Sequence, residues 1–298
     1  NCDCVKFQSW SSESINSKSF YKDNPIAGRI FKKFSLSEEE LVEMANFCKE
    51  VGIAFSSTPY SKEEAEFLIN KCNAPFVKVA SMDLTNYPYL EYLAKTGTPI
   101  VLSTGMGDMQ EIKKAVETIT TTGNDQIMLL HCISIYPPEL DTIRLKNING
   151  LREEFPNYPV GFSDHSLGIE MASASIALGS NIIEKHMTLD KSRIGMDNQI
   201  ALEPDELTQM VTNCHNVHMA LGDEKRIVSE AELEQRSKIR RSIIVNKDLK
   251  AGATLNLEDL GAKRPGTGIP PEKMKDLVGA KLLTDIEGDT MLKDEDFE

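Results

Sequence analysis

From about residue 4 to residue 221 the sequence alternates between short apolar, β-branched runs and longer stretches of helical period. No other feature of the chain constrains its fold as strongly. A strand followed by a helix brings the next strand back parallel to the first. The strand candidates are residues 4–8 (CVKFQ), 52–58 (GIAFSST), 76–81 (FVKVAS), 99–105 (PIVLSTG), 127–134 (IMLLHCIS), 160–165 (VGFSDH) and 181–188 (NIIEKHMT). The intervening helices have legible starts. Ser37 precedes EEELVEMANFCKEVG and Ser61 precedes KEEAEFLINKC, each an N-cap followed by acidic first-turn residues. Glu203-Pro204 opens the last helix, which runs to Leu221 before Gly222 stops it.

Seven parallel strands suit either an open doubly wound sheet or a barrel. The strand ends favour the barrel: KFQ, SSTPY, KVAS, LSTG, HCISIYP, FSDH and EKHM are all rich in polar, chemically useful groups. In a barrel the C-terminal ends of all strands converge on one site, whereas an open sheet uses mainly its switch point. The expected fold is therefore a (β/α)8 TIM barrel over residues 1–221, with its first strand missing from this chain. The start at Asn1 without a methionine also reads as a truncation. Residues 222–238 are charged and polar, and read as a linker. From Ile239 the texture changes to short β-rich runs and tight turns, with Ala251-Gly252 and Gly288-Asp289 at two of the turns. Residues 239–298 are expected to form a small β-rich domain.

The net charge of −13 argues against a nucleic-acid partner, because phosphate backbones need a basic face. It leaves room for a small anionic substrate, since a local lysine cluster can override the global field. No apolar run approaches the roughly 18–20 residues of a membrane span, and no signal peptide is visible. The six cysteines, at 2, 4, 48, 72, 132 and 214, are scattered through apparent core elements and read as reduced thiols of a cytoplasmic protein.

The residues that carry chemistry lie at the strand ends. His165 and His186 end two consecutive strands, so both imidazoles can reach one point, and two histidines with a nearby carboxylate suit a divalent transition metal. His131, inside LLHCIS, reads as a hydrogen-bonded core histidine, and His215 and His218 as surface residues of the last helix. Lys6 and Lys78 interrupt otherwise apolar strands, and burying a lysine is costly without an anion to pair with it. Ser81, Ser103, Thr104, Ser134 and Ser163 add hydroxyl donors at strand ends. Together these groups can cradle a phosphate and a carboxylate. Any one of the hydroxyls is explained as simply by backbone capping, and the convergence of five is what makes an anion site. Strand alternation puts Glu184 on the interior with His186, as a supporter of the metal or a general acid/base, and turns Lys185 toward the helices. Asp197, in the loop after the last strand, sits at the rim of the same site and is either a turn former or a substrate contact.

Taken in order, VKFQ, SSTPYS, KVASMDLTNYP, LSTGM, HCISIYP, GFSDHSLG, IIEKHMTLD and KRPGTG resemble the N-acetylneuraminate (sialic acid) synthase family, which includes the legionaminic and pseudaminic acid synthases. The resemblance covers essentially the whole chain. It implies a barrel followed by a small antifreeze-protein-like SAF domain, and a cytoplasmic enzyme that condenses phosphoenolpyruvate with an N-acylated aminosugar. It implies that His165 and His186 hold a divalent metal, Mn²⁺ or Mg²⁺. By the same resemblance Lys6 and Thr58 hold the phosphoenolpyruvate carboxylate, while Lys78, Ser81, Ser103, Ser134 and Ser163 hold its phosphate. Gln8 and Asp83 belong with these substrate contacts. Tyr136 and Asp197 stand near the acylated sugar, and Glu184, Asp197 and Lys6 carry the catalytic roles. Arg264 of KRPGTG resembles an arginine that the SAF domain inserts into the partner subunit's site, which implies a domain-swapped homodimer.

The sequence departs from the family pattern in three places. The KxGSG[DE] motif here runs from Lys78 to Asp83 with two glycines replaced. Ser134 stands where bacterial sialic acid synthases carry asparagine, which leaves the sugar open between N-acetylmannosamine and a 2,4-diacetamido-trideoxyhexose. No residue matches the catalytic glutamate of the family's first strand. Two other readings stay in view: a Schiff-base aldolase using a barrel lysine such as Lys78, and a non-catalytic fragment.

Overall fold

The computed structural model describes residues 2–298, which fall into two compact units dividing after Gly222. In the first unit the seven expected strands are all present, each a little shorter or shifted at its ends. They are β1 (Cys4–Ser9), β2 (Ala54–Pro59), β3 (Val77–Val79), β4 (Ile100–Ser103), β5 (Ile127–Cys132), β6 (Val160–Asp164) and β7 (Ile183–Lys185). All pair in parallel, β1 with β2 in one sheet and β3-β4-β5-β6-β7 in chain order in a second. The Ser56 hydroxyl donates to the carbonyl of Phe76 at 3.1 Å and links the two sheets. The sheets curl around a common interior, because the Lys6 ammonium of β1 meets the Glu184 carboxylate of β7 at 3.7 Å.

The alternation of each strand divides its side chains between two environments. Val77, Val79, Ile100, Leu102, Leu129 and Phe162 face outward and are sealed beneath helices through Leu90, Leu93, Ile112, Ile119 and Ile148. Lys78, Ser103 and Ser163, at alternate positions, are also buried but face the interior. The outer layer is a close-packed apolar core, and the inner face is polar. Gly161 of β6 is required by space: a Cβ there would stand 2.2 Å from the Ile182 side chain and 2.6 Å from its carbonyl oxygen.

The helices start as their caps dictate. The hydroxyl of Ser37 accepts from the Glu40 N–H in a capping box opening Glu38–Val51, and Gly52, at φ 79°, ends that helix. The Ser61 hydroxyl caps Lys62–Asn70 by accepting from the Glu64 N–H at 3.1 Å. Two helical regions depart from the expectation. Residues 12–34, between β1 and the helix Glu38–Val51, form three short helices, Ser12–Ile15, Lys18–Asp23 and Pro25–Phe34, none with a buried residue. Trp10 anchors the last of these, donating to the Phe31 carbonyl at 3.2 Å and packing edge-on to its ring. The stretch 222–238, read as a linker, carries most of the helix Glu230–Ile239, capped by Ser229. Its acidic first turn and basic last turn suit the helix dipole, but it buries nothing, so no apolar stripe marks it in the sequence.

In the second unit β8 (Ser242–Val245) pairs antiparallel with β9 (Leu260–Lys263), and isolated bridges extend the pairing to Met291, Ile286 and Lys281. Ile243, Val245, Leu255, Ile269, Leu282, Ile286 and Leu292 make its own small core. No helix among the described residues is long and apolar enough to cross a membrane.

Phe162, 1% exposed, is the largest side chain sealed in the first unit's core. Replacing it with alanine should lower the unfolding free energy by about 3–5 kcal/mol, measured by urea denaturation followed by far-UV circular dichroism. A loss below about 1 kcal/mol would contradict a close-packed layer at that position.

Candidate active site

Three charged side chains meet on the inner face of the first unit. The Glu184 carboxylate of β7 faces Lys6 of β1 at 3.7 Å and Lys78 of β3 at 4.0 Å. The Ser163 hydroxyl of β6 donates to its Oε1 at 2.8 Å. Burial alone would raise this carboxyl, but the two ammonium groups and the hydroxyl outweigh it and hold the pKa at about 2. Glu184 is therefore ionised throughout the neutral range. Lys78, only 3% exposed, donates to the Ser103 hydroxyl at 2.7 Å and to the Val79 carbonyl at 3.0 Å. Burial lowers its pKa, and Glu184 pulls it back up. Lys6 also reaches the Thr58 hydroxyl at 3.5 Å. Gln8, on the same face of β1 as Lys6, stands opposite Thr58 in the strand register.

A polar pocket of hydroxyls continues this cluster. The Gly105 N–H donates to the Ser81 hydroxyl at 3.1 Å. A Cβ on Gly105 would stand 2.4 Å from the Ser134 hydroxyl and 2.7 Å from that of Ser81. Only glycine lets three strand ends approach so closely, and sequence reasoning did not pick it out. Its one signal was its place at the end of LSTG.

The two strand-end histidines also converge. The rings of His165 and His186 lie 5.3 Å apart between centroids, and the Tyr136 ring stands 4.1 Å from His165 and 6.2 Å from His186. His165 Nδ1 lies 2.8 Å from the Ile133 carbonyl, which can only accept. Nδ1 therefore carries a proton, and in the neutral ring Nε2 is the atom with the lone pair. Burial is the main cause that pushes the His186 pKa down to about 4, which leaves that ring neutral. The Asp197 carboxylate stands 3.9 Å from His186 Nδ1. No group of three or more His, Cys, Asp and Glu side chains forms a cation cage among the described residues. Burial would lower the His165 pKa, but Cys132 and the Ile133 carbonyl outweigh it and raise it. Once Nε2 of His165 is deprotonated, the two imidazoles form a donor pair that fits a divalent cation completed by other ligands.

Asp83 accepts from the Asn86 side chain at 3.0 Å in the turn before the helix Tyr87–Lys95, and no hydrogen bond joins it to the lysines or hydroxyls. Arg264 belongs to the second unit. Its loop is pinned: the Ser242 hydroxyl donates to the Pro265 carbonyl at 2.7 Å and accepts from the Gly268 N–H at 2.8 Å, while the Gly266 N–H donates to the Ser237 carbonyl at 2.8 Å. The arginine is thus exposed on an ordered loop. His131 is the core histidine expected, its Nε2 2.7 Å from the Ile143 carbonyl.

The profile of the NeuB family matches residues 1–226, and that of the SAF domain matches residues 240–298. An uncharacterised protein of Methanocaldococcus jannaschii is 41% identical over 97% of this chain and 84% of its own length. The N,N'-diacetyllegionaminic acid synthase of Legionella pneumophila is 35% identical over 97% of this chain and 85% of its own. Among solved structures, the N-acetylneuraminic acid synthetase of Leptospira borgpetersenii, crystallised with citrate, superposes with a TM-score of 0.71 at 31% identity. That match covers 78% of this chain and 79% of the other.

The charge cluster can be tested without substrate. A double-mutant cycle of Lys6→Met and Glu184→Gln, read by chemical unfolding, should give a favourable coupling of about 0.5–3 kcal/mol. Additivity to within about 0.3 kcal/mol would mean that the two charges do not interact in solution.

Proposed function

This chain belongs to the NeuB family, and from that premise we propose that it condenses phosphoenolpyruvate with an N-acylated aminosugar and water, giving a nonulosonic acid and phosphate. The sugar is N-acetylmannosamine or a 2,4-diacetamido-trideoxyhexose. The observation that carries the reading is the convergence of Lys6, Lys78 and Glu184 in the interior and the convergence of His165 with His186 at the ends of neighbouring strands. The fold in this reading is a (β/α)8 barrel of which the described residues supply seven strands, supported by the curl that brings the side chains of Lys6 on β1 and Glu184 on β7 within ion-pair distance.

The chain's own groups divide the work. Lys6 and Thr58, with Gln8 beside them, take the carboxylate of phosphoenolpyruvate. Lys78, with Ser81, Ser103, Ser134, Ser163 and the open face of Gly105, takes the phosphate, where charge-assisted bonds from a buried ammonium are strongest. His165 and His186 hold a divalent cation, Mn²⁺ or Mg²⁺, which when bound polarises a carbonyl oxygen as a Lewis acid. Tyr136 and Asp197 flank the aminosugar. The C2=C3 π electrons of phosphoenolpyruvate form the bond from C3 to the open-chain aldehyde carbon, whose oxygen takes up a proton and becomes a hydroxyl. Water adds to C2 and gives up its two protons, one matching that taken by the new hydroxyl and one leaving with phosphate, as the C2–O bond breaks and C2 becomes a ketone. Glu184, fixed as a carboxylate between two lysines, accepts a hydrogen bond from that water and orients it. Held orientation and fixed charge supply the rate gain.

The second unit contributes Arg264. We place it across a two-fold dimer, at the mouth of the partner subunit's site, where its planar guanidinium suits a carbonyl or carboxylate. Mixing Arg264→Ala with His186→Ala protein should then restore part of the activity, because each heterodimer has one intact composite site. No recovery after confirmed subunit exchange would reject the arrangement.

The reaction itself is tested by phosphate release from phosphoenolpyruvate with each sugar and Mn²⁺. Release should need both the sugar and the metal, and should stop with chelator. Lys78→Met should raise the KM for phosphoenolpyruvate by about 10–100-fold, the worth of one charged hydrogen bond. A change confined to the aminosugar constant would contradict its role. A protein that borohydride traps with pyruvate, and that chelator leaves active, would be an aldolase instead.

A further inference from the structure

On the outer face of β6 and β7, opposite Ser163 and Glu184, lie Asp164 and Lys185. Both side chains are 1% exposed, and the Lys185 ammonium meets Asp164 Oδ2 at 2.8 Å. The same ammonium donates to the Ser166 carbonyl, and the Ser166 N–H donates to Asp164 Oδ1 at 2.8 Å. This network joins the end of β6, the first turn of the loop after it and the end of β7. Each member of the ion pair immediately precedes one of the convergent histidines, His165 or His186.

Filling that space with a buried ion pair is costly, since two charges leave water, and apolar replacements for such pairs are often neutral or stabilising. Stability alone therefore does not account for it. Geometry offers a better account. His165 is already oriented by the Ile133 carbonyl. His186 has no such anchor: Asp197 stands 3.9 Å from its Nδ1, beyond hydrogen-bond length. Its strand, β7, is three residues long and pairs with β6. The Leu202 N–H donates to the His186 carbonyl at 2.8 Å and holds the backbone on its far side, while the Lys185 ammonium ties the backbone just before it to β6, so the position of the ring depends on both.

We propose that the Asp164–Lys185 ion pair is a positioning pair for the cation site, holding the two strand ends in the register that brings His165 and His186 to one point. The proposal rests on the reading that these rings hold a divalent cation. The pair touches neither the cation nor the substrate. It acts through the spacing of the two rings, as outer partners of metal ligands commonly do.

The test is Mn²⁺ binding followed by calorimetry, on the whole chain and without substrates, with thermal unfolding measured on each variant. Lys185→Met should bind Mn²⁺ about 10–100-fold more weakly than the wild type. Lys185→Arg, which keeps the charge, should stay within about threefold. At saturating Mn²⁺ the KM for phosphoenolpyruvate of Lys185→Met should be unchanged within about threefold, because the lysines and hydroxyls of the anion pocket lie on the other face. A Lys185→Met protein that melts lower but binds Mn²⁺ like the wild type would overturn the proposal, leaving the pair a packing element only. If Lys185→Met fails to fold, Asp164→Asn decides by the same criterion, since it keeps the side-chain shape and an acceptor for Ser166. A wild type that binds no Mn²⁺, or binds it equally well as His165→Ala, would overturn the cation reading and the proposal with it. That outcome is distinct from normal binding in the wild type with unaltered binding in Lys185→Met.

Discussion

The interior of the first unit depends on a charge balance. Two ammonium groups, Lys6 and Lys78, are held inside a curled parallel sheet, and each would be costly there alone. Glu184 compensates both, from the far end of the strand order, and Ser163 completes its hydrogen bonding. That contact joins a side chain of the first described strand to one of the last. It also fixes the ammonium groups toward the interior, beside the hydroxyls of Ser81, Ser103 and Ser134 and the bare face of Gly105. A pocket so arranged needs little rearrangement to receive a multiply charged anion, and fixed dipoles and charges act most strongly where water is scarce.

The opposite face of the same strands obeys a different rule. There Val77, Val79, Ile100, Leu102 and Phe162 make an apolar layer under the helices, and Asp164–Lys185 is its one buried ion pair among the described residues. Period-two alternation lets a single short strand serve both purposes. Lys78 is flanked by two core valines, and Glu184 by Ile183 and the ion-paired Lys185. Catalytic groups can therefore be set on rigid, well-buried strands, and the apolar layer behind them limits how far they can drift.

Much of this was legible in the sequence because it follows from local rules. The strands, the Ser37 and Ser61 caps and the inward turn of Glu184 all come from alternation and cap chemistry, which depend on near neighbours. The convergence of His165 with His186 needed only the inference that consecutive parallel strands lie side by side. Features that depend on long-range geometry were not legible. Lys185 was expected to face the helices, but nothing in IIEKH says that it meets Asp164 from the neighbouring strand end. Gly105 is only the last residue of the strand candidate 99–105 until its distance to two serines is known. The helix Glu230–Ile239 escaped for the opposite reason: it is solvated all round, and without an apolar stripe it has the composition of a linker. Asp83 fits a motif, and the sequence carries no sign that the Asn86 side chain donates to its Oδ1.

The most direct test of the central claim is a crystal structure grown with Mn²⁺ and phosphoenolpyruvate, using anomalous scattering to locate the metal. The account predicts one anomalous peak within bonding distance of a ring nitrogen of both His165 and His186. It also predicts the ligand phosphate on Lys78 and Ser103, with its carboxylate toward Lys6 and Thr58. An anomalous peak away from the two rings, or phosphoenolpyruvate bound without contact to either lysine, would contradict it.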